Sequence, residues 1–214
     1  LTVLAALVLS CSDDVVEKGD IALRLGDWKM AMEFYYQALR RDPADAAARL
    51  GMGKALLQKA VALPNDTTSW REALVHLEAA HTIAPSAGIA PLLSEAWSSH
   101  ARNLLAGRDT VQALSALSRA IELDSRSVEP VNLAGIVYFR LGHEDKALQL
   151  FGKAIAIDST NSSAHFNLGM AKWQREQFSE AHRHWLTALA NAPEDEDILY
   201  WFALSEKRIR EGGE

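Results

Sequence analysis

Cysteine is almost missing from this chain: Cys11 is the only one in 214 residues, which rules out an internal disulfide framework and a thiolate metal cluster. An excess of basic charge is missing too. With 22 Lys+Arg against 28 Asp+Glu, a net charge of -6 and a pI near 5.7, the chain is a poor match for phosphate-backbone binding, which relies on clustered lysine and arginine. The seven histidines never stand four apart as in a helical zinc motif, and His182 and His184, two apart, diverge around a helix. There is no glycine-rich phosphate loop and no nucleophile motif, so neither an enzyme nor a cofactor or metal is expected. Acidic runs such as Asp13-Asp14 and Glu194-Asp195-Glu196-Asp197 mark helix starts, where negative charge favours the dipole.

What the chain has is a register. Ala31/Tyr35/Ala38, Ala73/Leu77/Ala80, Ala113/Leu117/Ala120, Ala147/Phe151/Ala154 and Ala181/Trp185/Ala188 are i, i+4, i+7 sets, each on one helix face, and their first alanines lie 42, 40, 34 and 34 residues apart. Periods of this size indicate stacked helical hairpins. Gly19, Gly135 and Gly169 stand twelve residues before their alanines; Gly53 precedes Ala73 with an insertion between, and Ala101 takes the place in the third unit. Small residues there set how closely a first helix approaches the second. Gly26-Asp27-Trp28 and Gly142-His143-Glu144 read as hairpin turns, and Pro43, Pro85, Ser125, Ser159 and Pro193 as unit ends. With 49% hydrophobic residues and no low-complexity stretch, one elongated domain with a continuous core is expected.

On these residues the chain resembles the tetratricopeptide repeat, a 34-residue helix-turn-helix unit. The units fall at Ser12 to Asp45, Ala46 to Ala87, Ser94 to Ser127, Val128 to Asn161 and Ser162 to Asp195. The match is fullest in the last two, where Asn132-Leu133-Ala134-Gly135 and Phe166-Asn167-Leu168-Gly169 precede complete second helices; Lys18 departs from it in the first unit, and the third lacks the glycine. The resemblance implies an all-α, right-handed superhelical α-solenoid of five units plus a C-terminal capping helix, Glu196 to Arg210. That cap is expected to turn Ile198, Leu199, Phe202 and Leu204 inward and Glu206, Lys207, Arg208 and Arg210 to water, with Glu211 to Glu214 frayed.

Two insertions break the period. In the second unit, Ala60 to Ala62 prolong the first helix, Leu63-Pro64-Asn65-Asp66 break it, and Ser69 with Glu72 reads as a capping box that restarts the second. Gly88 to Leu93 then begin the third unit's first helix early, with Pro91 tolerated in its first turn.

The N-terminal segment differs in kind. Leu1 to Leu9 is an uncharged apolar run, too short for the roughly 20 residues of a spanning helix, and it reads as the core of a signal peptide whose basic leader is missing. It ends Val8-Leu9-Ser10-Cys11 before the polar Ser12-Asp13-Asp14. That junction resembles a bacterial lipobox, although Val8 and Leu9 stand where a leucine and a small residue are usual. The resemblance implies acylation of Cys11 and, with Ser12 following it, retention at the periplasmic face of the outer membrane.

In tetratricopeptide arrays the first helices line a concave groove. The resemblance places Asp20, Arg24, Lys54, Gln58, Glu95 and Arg102 in its N-terminal half, and Asn132, Ile136, Phe139, Arg140, Phe166, Met170, Trp173 and Gln174 in its C-terminal half, with Tyr200 and Trp201 nearby on the cap. Aromatic side chains on a groove wall point to a partner with apolar side chains. The expected function is an envelope-anchored adaptor that holds a peptide, helix or protein segment. The alternatives are a transport-accessory lipoprotein with a small hydrophobic ligand, or a pilotin-like assembly factor. A clamp for acidic C-terminal tails is not reproduced, since Leu50, Ser98 and Ser99 replace its polar or basic residues.

Overall fold

The structure is a computed structural model that describes residues 14–63, 66–86 and 88–212. Cys11, Pro64, Asn65 and the end of the tail lie outside the described residues. Among those described there are eleven α-helices and no strand: α1 (Val15–Arg24), α2 (Trp28–Arg41), α3 (Ala46–Ala62), α4 (Thr67–Ile83), α5 (Ile89–Ala106), α6 (Thr110–Leu123), α7 (Val128–Arg140), α8 (Glu144–Ile157), α9 (Ser162–Gln174), α10 (Phe178–Asn191) and α11 (Glu196–Arg210). None is long and apolar enough to cross a membrane.

Several helices are started by a side-chain cap. Asp45, Asn161 and Asp195 accept hydrogen bonds at first-turn amides, from Ala48 at 2.9 Å, Ala164 at 2.9 Å and Ile198 at 3.1 Å, satisfying donors that a helix start leaves open. Every second helix closes alike. The carbonyl of the second alanine in each pair, at Ala38, Ala80, Ala120, Ala154 and Ala188, accepts the last backbone bond from the residue just before the expected stop, and at Asp42 and Asp158 the backbone is extended there.

The chain divides into two compact units, Leu1–Asp109 and Thr110–Glu214. In the first, α1 pairs with α2 and α3 with α4, α2 packs on α3, and α4 packs on α5. In the second, α7 pairs with α8 and α9 with α10, α6 packs on α7, α8 on α9, and α11 covers α10. The repeated alanines are buried, and the bulky residue between each pair is buried with them: Tyr35, Leu77, Leu117, Phe151 and Trp185.

The glycines explain how these large side chains fit. A Cβ built on Gly19, Gly135 or Gly169 would stand 2.5 Å from the ring of Tyr35, Phe151 or Trp185, and one on Gly53 would stand 2.6 Å from Leu77. The ring of one helix therefore rests on bare backbone of the other. Gly51, which the register does not single out, also lies against Tyr35.

Two expectations are corrected. The cap of α4 is Asp66 rather than a Ser69/Glu72 box: its carboxylate accepts from the amides of Thr68 and Ser69, both at 3.2 Å, and from the Ser69 hydroxyl at 2.8 Å, while Lys59 pairs with it at 2.9 Å. Ser69 is thus a donor to the cap and not the cap itself. Its neighbours' hydrogen bonds, led by the Thr68 hydroxyl, hold the Asp66 carboxyl far below the usual carboxylate range. On α11 the inward face is Ile198, Phe202 and Ser205, spaced i, i+4 and i+7. Leu199 is 42% exposed, because one residue of rotation carries it outward. Ser205 is tolerated inside because it donates to the Phe202 carbonyl at 2.6 Å and accepts from His182 Nδ1 at 2.9 Å.

Candidate functional site

The first helices of the second unit, α7, α9 and α11, converge on a cleft of about 300 Å³. Ile136, Phe166 and Ile198 form its apolar part, Asn132 and Asn167 its amides, and Asp195 and Asp197 its acidic rim. Three of the ten groove residues named from sequence therefore meet: Asn132, Ile136 and Phe166. Asn167 Nδ2 donates to Asn132 Oδ1 at 3.1 Å, a bond that ties the two amides together and uses one of the donors and one of the acceptors they carry. Asp195 is held as the α11 cap, accepting from the Asp197 and Ile198 amides at 3.1 Å.

The other groove residues serve different surroundings. Phe139 packs on the core made by Ala147, Phe151, Leu168 and Ala171. Trp173 lies in an aromatic cluster, 4.7 Å from the Phe178 centroid, 5.6 Å from Trp185 and 5.9 Å from Trp201, and Tyr200 stands at its edge, 63% exposed. Gln174 donates to Glu144 at 3.1 Å. Arg140 is exposed and Met170 half-buried.

In the first unit, Gln58 and Glu95 line a separate cleft of about 340 Å³. Asp20 accepts the Tyr35 hydroxyl at 2.6 Å, and burial followed by this bond raises the phenol's pKa well above its ordinary value. Arg24 donates to the Asp20 carbonyl at 3.4 Å, and Lys54 and Arg102 are exposed.

A wider basin of about 520 Å³ opens beside the α7–α8 turn. Its charges answer one another: Arg175 reaches Glu144 at 3.1 Å and Asp145 at 2.6 Å, and Lys146 donates to the Tyr138 hydroxyl at 2.7 Å with its ammonium 4.0 Å from the ring centre. Little is left there to recognise a ligand.

Sequence reasoning missed one polar pair. His165 Nδ1 and His184 Nδ1 are 3.2 Å apart, and His165 Nε2 lies 3.1 Å from the Ser159 carbonyl. A carbonyl only accepts, so His165 carries its proton on Nε2 and His184 donates through Nδ1. Burial first, then the neighbouring His165 and Lys172, push the His184 pKa down to about 4. No group of three histidine, cysteine or acidic residues among the described residues could hold a metal ion.

Family models described as tetratricopeptide repeat match residues 99–162 and 166–206, and another matches residues 16–45. The human tetratricopeptide repeat protein 6 is 29% identical over 87 residues, a stretch that is 41% of this chain and 16% of that protein's length. Among solved structures, MamA is 23% identical with a TM-score of 0.60, covering 82% of this chain and 95% of its own. YrrB, described as a protein of this type with an unusual peptide-binding site, is 21% identical with a TM-score of 0.61, covering 87% and 89%. The C-terminal part of a repeat-containing protein from Cytophaga hutchinsonii is 16% identical with a TM-score of 0.63, covering 89% and 69%. At these identities the structures attest the fold. With models of one repeat matching in both halves of the chain, and with a glycine-and-ring pairing that recurs in the first, fourth and fifth units, the chain belongs to the tetratricopeptide-repeat family.

Proposed function

We propose that this protein is an adaptor that holds an extended segment of a partner protein across the first helices of its second unit. The observation that carries the reading is the convergence of Asn132, Ile136 and Phe166 with Asn167, Asp195 and Asp197 around one cleft. Apolar walls take up a side chain, and the paired amides and carboxylates offer acceptors to backbone N–H groups, the usual division between affinity and orientation in such clefts. Asp195 and Asp197 repel a carboxylate, so the segment is an internal one or carries basic residues rather than an acidic tail. The peptide-binding site in the description of YrrB agrees with this use of the fold.

The anchor is the second part of the proposal. The apolar run ending at Cys11 supports acylation of that cysteine and a place on the periplasmic face of a bacterial outer membrane. Two or more acyl chains, at about 0.8 kcal/mol per buried methylene, give lasting attachment.

A photo-crosslinking residue at position 136, in the protein expressed with a signal-peptide leader, tests the adaptor. A discrete crosslinked partner that is lost in Asp197→Lys is expected, and a diffuse smear unaffected by Asp197→Lys would overturn it. Radiolabelled fatty acid tests the anchor. Uptake by the native chain but not by Cys11→Ala is expected, and labelling of the alanine variant would overturn acylation at this site.

A further inference from the structure

The two insertions flank α4 in sequence, yet their added turns meet. α3 and α5 are 17 and 18 residues long against 13 for α7 and α9, the extra length being the last turn of α3 and the first of α5. Val61 from one and Leu92 from the other line the same cleft of about 340 Å³, with Leu57, Ala96 and, from α4, Trp70. Neutral loop growth would leave polar residues at such edges. Instead Val61 is held out 69% exposed beside a tryptophan that is only 9% exposed. α1 packs on α3 and α7 on α9, but α3 and α5 are barely in backbone contact. Their separation is what opens the cleft.

We infer that this cleft docks a short peptide segment of a partner protein, one that carries a bulky apolar side chain within a position or two of a lysine or arginine. The apolar walls select the first feature. Glu95, exposed and the one charged side chain among the described residues lining the cleft, selects the second. Opposite charge at the mouth of an apolar site favours the matching partner and penalises a carboxylate. The volume lies at the small end of the roughly 300–1,000 Å³ of ligand clefts, room for one or two side chains and not for a whole helix face. The net charge of -6 adds long-range attraction for basic segments. The cleft consists wholly of first-unit residues and does not depend on the reading given to the second unit.

The test is selection from a random heptapeptide display library on the whole chain, followed by affinity measurement with the enriched peptide. Enrichment of an apolar residue beside Lys or Arg is expected. Binding should weaken about tenfold in Glu95→Lys and in Val61→Glu, the scale of losing a charge match or a central apolar contact. Both positions are exposed, so the thermal midpoint should stay close to that of the native chain. The inference is overturned by a library with no such motif, or by affinity indifferent to Glu95→Lys and Val61→Glu. Loss of binding in Asp197→Lys alone would move the site to the second unit. A dimer abolished by Val61→Glu, with no peptide enriched, would make the occupant a second copy of the chain.

Discussion

A Cβ at Gly169 would stand 2.5 Å from Trp185 Nε1, whose N–H already donates to the Phe166 carbonyl at 3.1 Å. The ring has no freedom to retreat without breaking that bond, so even one methyl group overpacks the unit. Gly169→Ala and Gly135→Leu are each expected to lower stability by about 1–3 kcal/mol, read as a shift in urea midpoint. Native midpoints would mean that the rings are not seated on these glycines. A second residue-scale prediction comes from the turns. Gly26 and Gly142 have φ of 80° and 77°, while Arg108 and Glu176 occupy the same left-handed region at 64° and 60°. A side chain there costs roughly 1 kcal/mol against glycine. Glu176→Gly should therefore raise the midpoint of unfolding and Gly142→Ala should lower it, and movement in the opposite sense would contradict the turn geometry.

At the scale of helices, the aromatic cluster of α9, α10 and α11 shows what Trp173 does. Edge contacts with Phe178 and Trp201 and partial burial predict a loss of about 2–4 kcal/mol on Trp173→Ala, below the full cost of a core tryptophan. Near-ultraviolet circular dichroism should lose intensity with it. An unchanged spectrum would place Trp173 outside the cluster. The histidine pair makes a second element-scale prediction. His184 is driven down to about 4 from its ordinary 6.5, and burial lowers His76 and His100 as well. The unfolded chain then binds more protons between those values, so stability is greatest above about pH 6.5 and falls as pH drops toward 4. Urea midpoints at pH 7.5, 6 and 5 should decline in order, and a flat series would overturn the assignment.

The same elements mark what the sequence could disclose. Alanine pairs and glycines fix the register because they are local and periodic, and α11 spans the residues expected of the cap. The Asp66 cap was hidden because Ser69 and Glu72 satisfy an equally good local pattern three residues further on. Asn167 sits one position from the groove register and enters the cleft only because its amide turns toward Asn132. His165 and His184 are nineteen residues apart on α9 and α10, and their contact depends on the stagger of two helices, which no spacing rule supplies.

At the scale of the whole chain, the division at Asp109 and Thr110 leaves each unit with its own buried alanines and large side chains. Repeat arrays derive stability from units and their nearest neighbours. Residues 1–109 and 110–214, expressed separately, should each show a helical spectrum and a cooperative melt; a half that stays unfolded at low temperature would show that its core is incomplete. The glycine sockets carry a kinetic consequence. Gly19 and Tyr35, Gly135 and Phe151, and Gly169 and Trp185 are each 16 residues apart, so the tightest contacts of the fold close short loops. Topologies dominated by such local closures have low contact order and fold in microseconds to milliseconds. A nascent chain can therefore lock one hairpin as soon as its ring emerges, without waiting for the residues that follow.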